Sequence, residues 1–401
     1  MSAVDDAIET RTPSGDPAFT YAYRPGLLPE PHGRLDMWRY RRLLPGCPEQ
    51  PRFPLPVGGT PLHPWPAAAA GEPRLWIKDE TTGPSASNKD RATALVIDAG
   101  LRRGAAVVTT SSTGNAAIAT AVGAAAAGID AVIFVSTECL PGKVQQMVAS
   151  GAHVFRVREG YRAAFELSRA AAERFGWIDR NTGANPLTIE AKKTVAFEVW
   201  EQLGRRVPDA VAVPVGDGPT LVGLAKGFRE LLACGATDRL PRIIAVQADV
   251  CAPLAARWRG EAAGALDPAA TAADGIAVPI PSIGDWALDE VRIADGCFVT
   301  VTEEEIADAV RELRDTAGIP SEPAGAASLA GLRRALAEGT VPPDAECVAL
   351  VTGADLPPTT QSRPRRPGSV HTISAADLDG LADTLAELDL PRTAPLDVAV
   401  A

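Results

Sequence analysis

From residue 75 onward, β-branched apolar runs alternate with Ala/Leu/Arg/Glu-rich amphipathic stretches. Runs at 75–77, 106–108, 131–135 and 153–157 are each followed by a helical pattern, at 90–103, 115–127, 141–150 and 161–175. The alternation resumes with runs at 210–213, 243–246, 298–301 and 347–351, with helices expected from about residue 220 and from Glu303. Strands that are apolar throughout need cover on both faces, which is the situation of a parallel sheet wrapped by crossover helices. Two such blocks, split near residue 205, predict an α/β chain of two doubly wound parallel-sheet lobes with a cleft between them.

At 401 residues the chain can bury a large core without disulfides. Its six cysteines are scattered and contain no C-x-x-C pair, so they read as reduced, buried thiols in a cytoplasmic protein. Lys+Arg 39 against Asp+Glu 50 gives a formal charge of −11, which disfavours nucleic acid or an anionic membrane as a bulk partner. No run approaches the ~18 apolar residues of a membrane span, and residues 1–16 are acidic and polar where a signal peptide would be basic and then apolar. No metal site is expected, because His32, His63, His153 and His371 lie far apart without ligand spacing.

The division expected along the chain has four parts. Residues 1–35, rich in Pro, Gly, Asp and Arg without a helical or strand period, form a loosely ordered arm that could pack on a partner subunit. Residues 36–90 and 206–357 make a larger lobe, and 91–205 a smaller, mobile one. The long interruption at 257–285 is expected to cross between the lobes or line the cleft. Residues 358–401 begin as a Pro/Arg linker and end in a short acidic helix, with Ser374 as its N-cap and Leu378, Leu381, Leu385 and Leu388 on one face.

Three strand-to-helix loops could carry chemistry. Lys89 enters a helix from a small polar loop, Gly83-Pro84-Ser85-Ala86-Ser87-Asn88. It is a solvated lysine, or a phosphate ligand of a Walker-like loop that lacks the second glycine and the following Ser/Thr, or a Schiff-base lysine activated by burial and the helix end. Ser111-Ser112-Thr113-Gly114-Asn115 opens the next helix but one strand later, where hydroxyls and free N–H groups either cap the helix or bind a carboxylate. Gly216-Asp217-Gly218-Pro219-Thr220 joins a later strand to its helix. Its spacing is not the dinucleotide fingerprint, yet its glycines let backbone N–H groups approach a phosphate.

In order along the chain, Lys89, the Ser/Thr-Gly-Asn loop, the glycine turn and Thr352-Gly353 after the last apolar run resemble the pyridoxal-phosphate enzymes of the tryptophan-synthase β-like fold (fold type II). The likeness is strongest to the threonine synthase family and covers roughly residues 38–356. It includes Gly58-Gly59-Thr60-Pro61-Leu62, Trp76-Ile77-Lys78-Asp79-Glu80, Asn185-Pro186, Lys193-Thr194-Val195-Ala196-Phe197-Glu198 and Glu322-Pro323-Ala324-Gly325.

The resemblance implies pyridoxal 5'-phosphate bonded through its aldehyde to Lys89, with its phosphate held by Gly216, Asp217, Gly218 and Thr220. It implies Asn115 facing the cofactor's 3-hydroxyl, Thr352 against the pyridine nitrogen, and Ser111, Ser112, Thr113 and Gly114 around the substrate α-carboxylate. A neutral hydroxyl at the ring nitrogen favours elimination and replacement over transamination, with Lys89 as the base that removes the α-proton. The expected enzyme is a lyase acting by β- or γ-elimination or replacement on O-phosphohomoserine or a divergent analogue, and homodimeric as such enzymes usually are. The alternative is a non-catalytic relative that keeps the fold as a scaffold.

Departures from the family pattern bear on the substrate. Ala86 replaces a glycine and Asn88 an aromatic residue before the lysine. Thr188 stands where an arginine usually meets the substrate phosphate, and Gly-Gln-Lys-Thr has become Ala191-Lys192-Lys193-Thr194. Thr188 and Lys192 are therefore the expected determinants of the side-chain pocket, with Lys192 either a replacement cation or a residue of the helix surface.

Overall fold

Every apolar run becomes a strand of one of two mainly parallel sheets. The structure, a computed structural model, describes residues 7–11, 17–21, 34–66, 73–262, 264–355 and 367–390. Its strands are β1 (Ala7–Arg11), β2 (Pro17–Tyr21), β3 (Leu62–Pro64), β4 (Arg74–Asp79), β5 (Val107–Ser111), β6 (Asp130–Ser136), β7 (His153–Val157), β8 (Ile178–Asp179), β9 (Ala210–Pro214), β10 (Arg242–Ala248), β11 (Cys297–Val301), β12 (Glu346–Val351) and β13 (Ser369–Ile373). Its α-helices are α1 (Lys89–Arg102), α2 (Asn115–Ala127), α3 (Pro141–Ala149), α4 (Tyr161–Phe175), α5 (Leu187–Lys192), α6 (Thr194–Gln202), α7 (Pro219–Ala233), α8 (Pro253–Trp258), α9 (Gly284–Ile293), α10 (Glu303–Ala317), α11 (Pro323–Ala337) and α12 (Leu378–Glu387). Among the described residues no helix is long and apolar enough to cross a membrane.

The larger sheet has the order β11-β10-β9-β12-β4-β3 and the smaller β13-β7-β6-β5-β8. All pairings are parallel except β3 with β4, an edge strand that the apolar pattern does not announce because it is three residues long and contains His63 and Pro64. Strands β5, β6, β9 and β12 are buried along their whole length, as strands covered on both faces are, with the hydroxyls of Thr109, Thr110 and Ser111 in β5 enclosed as well. Phe197, Leu224, Phe228 and Val291 from α6, α7 and α9 cover one face of the larger sheet, and Ile306, Leu313, Leu329 and Leu332 from α10 and α11 the other. Each such side chain contributes roughly 1.5–3 kcal/mol on burial.

The two ends of the chain differ from expectation. The N-terminal arm contains an antiparallel pair, β1 with β2, although its sequence shows no strand period. After residue 366 the chain returns to the smaller sheet, where β13 pairs in parallel with β7. Helix α12 then packs Leu381 and Leu385 against Leu167 and Phe175 of α4. The apolar face of α12 is as the sequence predicts, but its N-cap is Asp377, whose carboxylate accepts from the Gly380 N–H. The Ser374 hydroxyl instead donates to Glu159. The Pro/Arg stretch at 356–366 lies outside the described residues.

A buried group of four ions sits where β4, α1 and α6 meet. Arg91 donates Nε and Nη2 to Glu80 (2.6 and 2.7 Å) and Nη1 and Nη2 to Glu198 (2.6 and 2.8 Å). Lys78 Nζ donates to Glu198 Oε2 (2.7 Å), to the Thr60 carbonyl (2.7 Å) and to Gln202 (3.0 Å). Gly58 and Gly59, both at positive φ, let the chain pass against this cluster; a Cβ on Gly58 would lie 2.7 Å from Arg91 Nη1 and from Glu198 Oε1. Burial raises the Glu198 carboxyl, but Arg91 and Lys78 outweigh it and hold the group below the ordinary carboxylate range.

Removing one anion from a balanced buried cluster leaves uncompensated charge, so Glu198→Gln is expected to cost about 3–5 kcal/mol of stability. The check is the denaturant midpoint of the full chain at unchanged slope; a loss below about 1 kcal/mol would rank these contacts with surface pairs. Because the folded-state value of Glu198 is depressed, its contribution is present above the unfolded-state value and is lost as pH falls through the folded one.

Candidate active site

Helix α1 begins at Lys89, so the lysine sits at the positive end of a helix dipole that disfavours the ammonium form. Desolvation lowers the Lys89 amine below the ordinary lysine value; Glu322 and Glu80 oppose this and Arg180 adds to it. Part of the lysine surface stays open to the cleft. Its Nζ donates to Asn88 Oδ1 (2.8 Å), and Asn88 Nδ2 donates to Thr220 Oγ1 (3.2 Å). Ala86 holds φ +57, the left-handed region a glycine would occupy at lower cost.

The loop Ser111 to Gly114 leaves β5 and opens α2, and no side chain caps that helix. Asn181 Oδ1 accepts from the Ser111 N–H (2.7 Å) and so fixes the loop. Buried Ser111 Oγ has no hydrogen-bond partner among the described residues, and a Cβ built on Gly114 would meet nothing within 4 Å. A hydroxyl without a partner beside open space at a helix N-terminus suits an anionic ligand. Ser112 Oγ accepts from the Gly114 N–H (3.2 Å), and Thr113 stands half-buried beside it.

The glycine turn joins β9 to α7, whose N-terminus also lacks a side-chain cap. Gly218 has φ +103, which requires glycine, and a Cβ on Gly216 would lie 2.9 Å from the Gly275 carbonyl. Residues 275–278 therefore lie against the turn, which places part of the 257–285 interruption in the cleft as expected. Asp217 accepts from the Ser282 N–H (2.6 Å) and hydroxyl (2.7 Å), so its carboxylate is engaged and its backbone N–H is the group left for a phosphate. Asp274 also pairs with Lys143 of α3, which ties this segment to the smaller lobe.

Thr352 follows β12 and is buried; its carbonyl accepts from the Asn88 N–H (2.8 Å). The Ala354 N–H donates to the Ala86 carbonyl (2.9 Å), so the lysine loop and the Thr352-Gly353 turn are held together. Asn115 Nδ2 donates to both oxygens of Glu322 (2.8 and 2.9 Å). Burial raises the Glu322 carboxyl, with Asn115 and Lys89 opposing.

Lys89, Asn115, Thr220 and Thr352 are thus joined through Asn88 and Glu322. Thr188 serves another purpose: it is fully enclosed, and its hydroxyl donates to the Asn185 carbonyl (2.7 Å). Lys192 is not on a helix surface but 2% exposed. Desolvation and the nearby charges of Lys89 and Arg180 push its amine well below the ordinary lysine value, with Asp217 opposing.

Sequence reasoning passed over Arg180 and saw Glu322 only within Glu322-Pro323-Ala324-Gly325, a stretch of the family likeness. Arg180 is 0% exposed and bonded to neutral groups, Thr93 (3.1 Å), Thr182 (2.7 Å) and the Lys89 carbonyl (3.4 Å). Burial pulls its guanidinium down to about 10. One arginine after a two-residue strand carries no local signal, whereas Glu322 before Pro323 at the head of an Ala/Gly-rich helix does.

These groups fit a phosphorylated pyridine aldehyde: a depressed amine for the aldehyde, an uncapped glycine turn for the phosphate, and an amide and a hydroxyl beside the ring. Comparison with known proteins agrees. Residues 54–353 match the family described as "Pyridoxal-phosphate dependent enzyme". The chain is 34% identical over 323 residues to the threonine synthase of Methanosarcina acetivorans, covering 79% of each chain. It is 34% identical over 319 residues to that of Mycobacterium leprae, covering 79% of this chain and 87% of the relative. Processed threonine deaminase isoform 2 from Solanum lycopersicum superimposes with a TM-score of 0.63 at 22% identity, covering 74% of this chain and 79% of that one, a likeness of fold. A depressed lysine at a helix start, linked through Asn88 to a glycine turn in a chain of two parallel-sheet lobes, is thereby accounted for: the chain belongs to the pyridoxal-phosphate dependent enzymes of the tryptophan-synthase β-like fold, in the threonine synthase-like family.

Proposed function

We propose that this protein catalyses β- or γ-elimination or replacement on an amino acid with an activated side chain, O-phosphohomoserine or a divergent analogue. The depressed amine of Lys89, held among Asn88, Glu322 and the glycine turn, carries this reading. Bound pyridoxal phosphate supplies an electron sink for the bonding pair left at the substrate α-carbon. The hydroxyls of Ser111, Ser112 and Thr113 and the N–H groups of Ser112 and Thr113 bind the α-carboxylate at the N-terminus of α2, with Gly114 leaving the space for it. Gly216, Asp217 and Gly218 present N–H groups to the cofactor phosphate, and Thr220 a hydroxyl. Asn115 and Thr352 orient the ring. Lys89 Nζ would hold the cofactor's aldehyde, and the same atom, when free, is placed to take the α-proton.

Arg180 brings positive charge to the side-chain end of the cleft, where Thr188 offers none, and Lys192 adds to it when its depressed amine takes up a proton. That arrangement favours an anionic leaving group over an acyl one. A non-catalytic scaffold would have no use for a depressed lysine facing a glycine turn, and no observation favours that reading. The expected division at residue 205 shifts, because α6 covers the larger sheet: that sheet with α6, α7 and α9–α11 acts as the fixed lobe, and the smaller sheet with α2–α4 as the mobile one, in a cytoplasmic homodimer whose mass light scattering would report.

Lys89→Ala is expected to abolish the visible absorption of the protein loaded with pyridoxal phosphate and to lower turnover by roughly 10²–10⁴-fold. Parallel assays with O-phosphohomoserine, O-phosphoserine and homoserine should show activity on a phosphorylated substrate, and equal turnover by the variant would overturn the assignment of Lys89. Lys192→Gln is expected to raise KM for the phosphorylated substrate while leaving the cofactor's absorption unchanged. The Lys192 amine is depressed and carries its proton only below that lowered value. Wild-type KM should therefore rise as pH climbs through it, and a flat profile would assign the anion to Arg180 alone.

A further inference from the structure

Asn88 stands where the family pattern has an aromatic ring, and it is 1% exposed. A buried primary amide must satisfy two donors and a carbonyl. Its contacts run to three separate parts of the site: the backbone N–H donates to the Thr352 carbonyl (2.8 Å), Oδ1 accepts from Lys89 Nζ (2.8 Å), and Nδ2 donates to Thr220 Oγ1 (3.2 Å). The amide can face only one way. Turned over, its NH₂ would oppose the ammonium form of Lys89, donor against donor, so this orientation is the one that supports the protonated lysine.

We propose that Asn88 is a positioning residue that couples the occupancy of the glycine turn to the basicity of Lys89. The inference rests on Lys89 being the cofactor-bonded lysine. Oδ1 can only accept, so it stabilises the ammonium over the amine and directs one N–H of Nζ toward residue 88, leaving the rest of the amine facing the cleft. An anion at the N-terminus of α7 takes the hydroxyl hydrogen of Thr220, while the oxygen of that hydroxyl receives the Asn88 N–H. Hydrogen bonds in such a chain polarise one another, so the anion makes the Asn88 carbonyl a better acceptor for Nζ. An aromatic ring at position 88 has no acceptor and cannot carry this link. Four other charged groups face Nζ: Glu322 at the head of α11 and Glu80 after β4 favour the ammonium, whereas Arg180 after β8 and Lys192 of α5 oppose it. All four remain in Asn88 variants, so a change in titration reports residue 88.

The test is the pH dependence of Lys89 acetylation by trace acetic anhydride in the full chain stripped of cofactor, read by peptide mass spectrometry with and without inorganic phosphate. Wild type should show a higher labelling midpoint in phosphate. Asn88→Leu should lower the midpoint by about one pH unit, a tenfold change in proton affinity, and lose at least half of the phosphate response; Asn88→Asp should raise the midpoint. Thr220→Val removes the hydroxyl and keeps the side-chain shape, so it should lose the phosphate response in the same way, and it carries the test alone if Asn88→Leu fails to fold. Unchanged midpoints and an undiminished phosphate response in the folded variants would overturn the coupling. Borohydride reduction of the protein loaded with pyridoxal phosphate separates the two claims: a label on a lysine other than Lys89 overturns the catalytic reading, whatever the titrations show.

Discussion

The buried ion cluster of Arg91, Glu80, Glu198 and Lys78 is the contact on which the site depends. Arg91 lies two residues after Lys89, in the first turn of α1, and its guanidinium is held by carboxylates from the end of β4 and from α6. Helix α1 cannot rotate or slide without unpairing a buried charge, so the cluster fixes where the lysine amine emerges. The same constraint explains sequence far from the cleft. Gly58 and Gly59 give the cluster room, Thr60 and Lys78 complete its hydrogen bonds, and Thr194 accepts from Arg91 Nη1 (2.9 Å). Most of the family pattern outside the loops therefore preserves one charge-balanced junction.

Charge in the cleft follows the opposite rule. Lys89, Lys192 and Arg180 lie near one another, while the carboxylates around them are bonded to other groups: Asp217 to Ser282, Glu322 to Asn115, Asp90 to the Ser85 N–H and Asp179 to the Asn181 N–H. Lys193, one residue on, belongs instead to a compensated group with Glu190, Lys226 and Glu230. The two lysines are adjacent in sequence, yet Lys193 is compensated by carboxylates and strengthens the α5–α7 packing, whereas Lys192 lies beside Lys89 and Arg180 with its amine depressed. Excess cationic charge in a low-dielectric site is costly without an anion, and an anionic ligand relieves that cost.

The C-terminal segment gives the smaller sheet a fifth strand and α4 an apolar partner. Ser369 Oγ lies 2.8 Å from His153 Nδ1 and 2.6 Å from His371 Nε2, and His371 stacks on Phe155. The described residues after β12 thus join the smaller sheet rather than the one completed at β12.

Periodicity determined much of this in advance. The boundaries of α2, β7 and α4 were readable to the residue, because glycines bracket the helices, Gly114 and Gly128 around α2 and Gly160 and Gly176 around α4, with the apolar run of β7 between them. The loops bearing Lys89, Ser111–Asn115 and the glycine turn were also visible, since free helix N-termini and small residues are local features. What the sequence could not determine was pairing at a distance. Nothing local says that Asn88 reaches Thr220, that Arg180 comes to Lys89, that Glu322 takes Asn115, or that Lys192 is buried when Thr188 is spent on a carbonyl. Those contacts join residues far apart in the chain, and only the packing of two sheets across a cleft decides which side chains share a dielectric and which charges meet.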